Sequence, residues 1–159
     1  LGGLEQRKVH MIGKDMEKEL NYGFIAVHTP LINSLKEPGE KMSKSIEGSG
    51  ISVLDSYDEI KRSISHAYCP EKIVDNNPIL QICRLIIFPI GIPELEIKRD
   101  KKFGGDLKIK DYSELEKLYL NGKIHPLDLK NAVAKEINFL LKNFRNDKEI
   151  HRLHKLAYG

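Results

Sequence analysis

The sequence predicts an α/β segment at the start of the chain, then a long irregular loop, then a mostly α-helical domain carrying one β-hairpin. Three observations predict it. A helix-period stretch, residues 4–20, leads into one short apolar run of β-formers, Gly23 to His28. Residues 33–52 are Gly, Ser, Lys, Glu and Pro with no apolar period. Beyond them the signals are helical, apart from two alternating runs around Lys102-Phe103-Gly104-Gly105.

Each element has a local reason. Leu4, Val9, Ile12, Met16 and Leu20 recur at helical spacing and predict an amphipathic helix. Gly23–His28 reads as a buried strand, ended by Thr29-Pro30. A lone strand needs backbone partners, so it requires another segment or chain beside it. Ser56 and Glu59 form a capping box that opens a helix to about Tyr68. Asn77-Pro78 supplies an N-cap and a first-turn proline for a very apolar helix to about Phe88. Glu94–Arg99 and Asp106–Lys110 alternate as a hairpin should. Ser113 and Glu116 read as the cap of the next helix, which stops at Asn121-Gly122. A long helix starts near Pro126, with Leu129, Val133, Ile137 and Leu140/Leu141 on one face, and a short one covers about 148–157.

Composition narrows the function class. The 159 residues are 40% hydrophobic and 31% charged, with mean hydropathy −0.39, values that exclude wholesale disorder. No apolar run approaches the roughly 18–20 residues of a membrane helix, because Pro89 and Gly91 break the longest. Cys69 and Cys83 lack zinc-site or redox-pair spacing and read as reduced thiols of a cytoplasmic protein. The chain opens on Leu1-Gly2-Gly3 without an initiator Met, as a trimmed chain would. His151 and His154, one helical turn apart, lack a third ligand, so no metal site is expected. Lys and Arg number 11 against 14 Asp and Glu in residues 1–97, but 15 against 9 in 98–159. That bias fits a polyanion partner, and equally a solvated helix face.

The long loop holds Lys41-Met42-Ser43-Lys44-Ser45. Two lysines three apart in a Gly-flanked loop suit a polyphosphate gripped only during reaction, since ammonium groups stabilise charge on a leaving pyrophosphate. A solubilising Lys/Ser loop is the plain alternative. Other motifs accompany it in order: Gly2-Gly3-Leu4-Glu5-Gln6-Arg7-Lys8-Val9-His10-Met11, Ala67-Tyr68-Cys69-Pro70, Phe103-Gly104-Gly105, and His125-Pro126-Leu127-Asp128-Leu129-Lys130-Asn131. With these the chain, to about Arg145, resembles the C-terminal half of the tyrosyl-tRNA synthetases of the archaeal and eukaryotic type, class I enzymes that carry the KMSKS signature.

The resemblance implies an α/β remnant of a Rossmann-like catalytic domain, its last strand and signature loop, over 1–55, and a helical anticodon-binding domain over 56–159. It implies tyrosine–tRNA ligase activity: ATP, with Mg2+, activates tyrosine to the adenylate, and the tyrosyl group passes to tRNA(Tyr). On that pattern Lys41 and Lys44 stabilise the pyrophosphate, while Met42, Ser43, Ser45 and His10 border ATP. Gln6 and Gly3 lie at the bound tyrosine. Helical spacing puts His10 i+4 from Gln6, on one face. Phe103, His125 and Asp128 match the anticodon contacts: a ring to stack on a base, and a carboxylate that accepts both N–H donors of guanine. Lys98, Arg99, Lys101 and Lys102 would meet phosphates.

Each residue also has a structural role open to it: a hydrogen bond between helix and sheet for His10, a first-turn carboxylate for Asp128, hairpin packing for Phe103. The other class I signature, HIGH, is not in this sequence. The resemblance therefore implies that catalysis requires an N-terminal catalytic half, in the same or a separate chain, and that the complete enzyme is a homodimer. A non-catalytic tRNA-binding module is the alternative reading, and a structural or regulatory fragment the third.

Overall fold

The computed structural model describes residues 1–42, 46 and 48–158, and its contacts fall into two units, Leu1–Ile32 and Asn33–Gly159. In the first unit β1 (Gly2–Gly3) pairs in parallel with β2 (His28–Thr29), Gly2 opposite His28 and Gly3 opposite Thr29. Between them the single helix expected over 4–20 divides into a 3-10 turn (Leu4–Gln6), α1 (Arg7–Asp15) and α2 (Glu17–Leu20), interrupted at Met16. Asn21, at φ 47, stops α2 in the left-handed region. Phe24 lies edge-on to His10, and Lys14 sits 5.4 Å above its ring. Glu17 accepts from Lys14 at 2.5 Å and from the Phe24 N–H at 3.1 Å, which holds its carboxyl below the usual range.

The buried strand expected over 23–28 is shorter and more open. Its ladder begins at His28, preceded by one bond from Gly2 N–H to Val27 O. Ile25 is 89% and Val27 51% exposed. The apolar run specifies a strand face, but a ladder is only as long as its partner, and β1 offers two residues.

The second unit holds all the buried residues. Its α3 (Tyr57–Ser65) opens with the expected capping box: Ser56 Oγ accepts from Glu59 N–H, and Glu59 accepts from Ser56 N–H and Oγ–H. The helix stops at Ser65, three residues short of the expected end. Asn77 caps α4 (Pro78–Ile82), its Oδ1 accepting from Ile79 and Leu80. The helical path then widens to π geometry over Cys83–Ile87. Strands β3 (Leu95–Ile97) and β4 (Leu107–Ile109) form the hairpin, Leu95 opposite Ile109 and Ile97 opposite Leu107. Next comes α5 (Tyr112–Leu120), whose N-cap is Asp111 rather than Ser113. Asp111-x-x-Glu114 overlaps the Ser113 signal and wins because β4 ends at Ile109, so the chain must turn at once. Asp111 accepts from Glu114 N–H, and Glu114 reaches back to Lys110 N–H. Finally α6 (Pro126–Asn146) and α7 (Lys148–Tyr158) complete the chain.

The core forms where α3 and β3 pack on α6. Ile60, Ile64, Ile79, Leu80, Leu95, Ile97, Ile109, Leu115, Leu129 and Val133 are all buried. Tyr119, also buried, donates to Pro70 O at 2.8 Å and shares a 3.2 Å hydrogen bond with Cys69 Sγ. Cys69 and Cys83 are free thiols, and burial pushes both up from their ordinary value.

The long loop is anchored to this helical unit at both stems. Asn33 N–H donates to Gln81 Oε1 at 2.8 Å, and Asn33 bridges Lys41. Leu35 is fully buried, burial that stabilises by about 1.5–3 kcal/mol, and its backbone bonds Ser49 and Tyr68. Downstream, Arg145 near the end of α6 donates to Asp55 O at 2.8 Å and to Asn138 Oδ1 at 2.5 Å.

Candidate functional site

In the first unit the parallel ladder and the start of α1 bring Gly2, Gln6, His10 and His28 together. Opposite β1, His28 Nε2 shares a 2.9 Å hydrogen bond with His10 Nδ1, and the rings are 4.9 Å apart. A Cβ on Gly2 would lie 3.2 Å from the Gln6 side chain and 3.3 Å from His10 Cε1, so glycine there is a matter of close approach. Gln6 and His10 thus share one helix face, as their spacing requires. Gln6 is exposed and His10 half-buried. Gly3 sits on the ladder beside the Glu5 carboxylate. His28 carried no sequence signal, since its partner is 18 residues away.

Of the signature loop, Lys41 and Met42 are described. Lys41 is exposed at the end of the Asn33 bridge, and Met42 is half-buried against Gly50. Ser43, Lys44 and Ser45 lie outside the described residues.

In the second unit a groove of about 460 Å³ is lined by Lys98, Arg99, Asp100, Phe103, Asp106 and Asp128. Two elements build it. The hairpin tip turns through a 3-10 segment, Lys101–Phe103, then Gly104 and Gly105 at φ 95 and 74, backbone that side chains other than glycine's resist. The tip presents Phe103, 64% exposed, with Lys102 Nζ 4.9 Å from its ring centroid. The second wall is the first turn of α6, where Asp128 is half-buried. An exposed aromatic face and a carboxylate in one groove can stack a planar base and accept hydrogen bonds from its edge.

His125 stands beside the groove, not in its lining. Its Nδ1 accepts from Leu127 N–H at 3.2 Å, capping α6, and Nε2 lies 3.6 Å from Glu71. Three of the four residues of the basic run are paired within the chain, the lysines at its surface. Lys98 reaches Glu96 and Asp106, both at 2.7 Å, which holds those carboxyls below their usual range and the ammonium above its own. Lys102 pairs with Asp100 at 3.5 Å, and Arg99 binds backbone carbonyls. Among the described residues no three His, Cys, Asp or Glu side chains gather to hold a metal, and no helix is long and apolar enough to cross a membrane.

The family described as tRNA synthetases class I (W and Y) matches residues 1–142. A tyrosine–tRNA ligase of Saccharolobus islandicus is 42% identical over 94% of this chain and 46% of its own length. Among solved structures, the tyrosyl-tRNA synthetase of Archaeoglobus fulgidus complexed with L-tyrosine is 43% identical with TM-score 0.81, over 91% of this chain and 44% of that one. Its counterpart from Pyrococcus horikoshii, also complexed with L-tyrosine, is 34% identical with TM-score 0.83, over 95% and 48%. The chain spans a little under half the length of these relatives. By sequence and by fold, it belongs to the class I tRNA synthetases of the tryptophan and tyrosine group, alongside the archaeal tyrosyl enzymes.

Proposed function

We propose that this chain works as the C-terminal half of a cytoplasmic tyrosine–tRNA ligase. Residues 1–55 contribute the last strand and the signature loop to the catalytic domain, and 56–159 bind tRNA(Tyr). The observation that supports this best is the pairing of an exposed Phe103 ring with the Asp128 carboxylate in one groove, in a chain whose loop also carries both signature lysines.

ATP enters as its Mg2+ complex, and tyrosine attacks the α-phosphate through its carboxylate. Lys41 and Lys44 stabilise the pyrophosphate as it leaves, their ammonium groups offsetting the charge that develops there. Met42, Ser43, Ser45 and His10 border the nucleotide. Gln6 offers its amide carbonyl to the tyrosine ammonium without a second charge, and Gly3 lets the backbone come close. Phe103 stacks on the first anticodon base, Asp128 accepts from its Watson–Crick edge, and His125 packs beside them. The N-terminal catalytic half, covalent or separate, covers the exposed apolar face of α1, and the complete enzyme is a homodimer.

The test is tyrosine-dependent ATP–pyrophosphate exchange by the chain combined with the N-terminal half of a close relative. Exchange that appears on mixing, and is lost with Lys44→Ala at unchanged tyrosine affinity, is expected. A mixture with no exchange argues against the ligase reading. A second reading, a tRNA-binding module without catalysis, is favoured by the self-sufficient core of the second unit. It predicts RNA binding without exchange. In both readings Asp128→Ala lowers the preference for a guanine-first anticodon stem-loop by about 1–3 kcal/mol. An unchanged preference removes Asp128 from base reading.

A further inference from the structure

Within its basic run Arg99 is singular. It is half-buried, and its Nε donates to Gly105 O at 2.9 Å while Nη1 donates to Lys123 O at 2.6 Å. Its own N–H donates to Asp106 Oδ1 at 3.0 Å. Gly105 closes the hairpin tip two residues after Phe103. Lys123 lies in the turn two residues before His125, leading into the helix that carries Asp128. One guanidinium therefore joins the two chain segments that wall the groove. A planar fork of five donors can serve both carbonyls at once, which a lysine ammonium on a flexible stem cannot do in the same geometry.

We infer that Arg99 is a positioning residue for base recognition, fixing the spacing between the Phe103 ring and the Asp128 carboxylate. A base must stack and be read at its edge together, so a groove whose walls drift apart loses discrimination before it loses affinity. This rests on the anticodon reading of the groove. It reassigns Arg99 from a phosphate contact to an internal clamp.

The experiment uses the full chain, labelled with 4-fluorophenylalanine, and two fluorescent anticodon stem-loops differing only in the first anticodon base, guanine or adenine. Arg99→Lys keeps the charge and removes the fork. Its expected effect is a fall in guanine preference of about fivefold, the worth of one net hydrogen bond, with adenine-RNA affinity unchanged. The Phe103 fluorine line should shift or broaden while the lines of Phe24, Phe88, Phe139 and Phe144 stay in place, which also shows the variant to be folded. Equal weakening toward both RNAs would make Arg99 a phosphate contact and overturn the clamp. An unmoved Phe103 line would overturn it whatever the RNA binding shows. If the variant does not fold, Arg99→Gln, which can still donate to one carbonyl, is read by the same two measures. Failure of the underlying reading looks different: wild-type chain without guanine preference, but with a Phe103 line that still responds to Arg99→Lys.

Discussion

The two units solve different problems with similar helices. In Leu1–Ile32 no residue is buried, and Val9 and Ile12 of α1 are 62% and 61% exposed. In Asn33–Gly159 the helices α3, α4, α5 and α6 bury Ile60, Leu80, Leu115 and Val133 completely. The first unit places Gln6, His10 and His28 through hydrogen bonds, a two-residue ladder and a glycine. The second places Phe103 and Asp128 through a packed core. The contrast teaches that Gln6 and His10, the candidate tyrosine and nucleotide contacts of the first unit, and the candidate RNA-binding residues stand on unequal foundations, and substitutions should reveal it.

The largest effect is expected from the cores. Leu80→Ala should cost about 2–5 kcal/mol in denaturant unfolding, whereas Ile12→Ala should change stability by less than about 0.5 kcal/mol. Comparable losses would break the contrast. Thiol alkylation sharpens it: Cys69 and Cys83 are both buried in the second unit with raised thiol values, so mass spectrometry should find them protected in the native chain. Leu80→Ala should expose them, and Ile12→Ala should not.

A smaller effect separates support from recognition at His125. Removing the cap with His125→Ala should cost about 1 kcal/mol, and His125→Asn, which restores an N-cap acceptor, should recover it. If His125 also reads the anticodon, the Asn variant regains stability without regaining guanine preference. Recovery of both assigns His125 to capping alone.

The smallest effect concerns the exposed ion pairs of the hairpin. The Lys98 ammonium beside Asp106 holds that carboxyl below its ordinary 3.8. A folded value below the unfolded one means the stabilisation is present above that range and vanishes as pH falls through the lowered value. Lys98→Met should move the Asp106 titration back up, read by NMR, and flatten the acid limb of the unfolding curve. An unmoved titration would show that the pair contributes nothing.

How legible all this was in the sequence follows the range of the signal. The Ser56–Glu59 box and the Asn77-Pro78 start depend on neighbours a few residues apart, and each is found where its local chemistry puts it; the hairpin forms within the two alternating runs that predict it. The α5 start is ambiguous in sequence because Asp111 and Ser113 are both competent caps, and only the end of β4 decides between them. The widened turn at Cys83–Ile87 leaves an apolar run looking like ordinary helix. The strand over 23–28 failed on its partner's length, which no local pattern encodes. The same limit applies to the site. Phe103 and Asp128 were found through motifs, but the His10–His28 bond and the Arg99 fork join positions 18 and 24 residues apart, and in sequence Arg99 looks like its lysine neighbours.

The length of α6 has a mechanical consequence. At about 1.5 Å per residue its 21 residues make a strut of about 31 Å, with Asp128 in the first turn and Arg145, which grips Asp55, in the last. Over such an arm a pivot of about 5° at one end sweeps the other through nearly 3 Å, close to the reach of one hydrogen bond. The chain segment leaving the signature loop is therefore tied, through Arg145, to the far end of the same helix that bears Asp128 at its start.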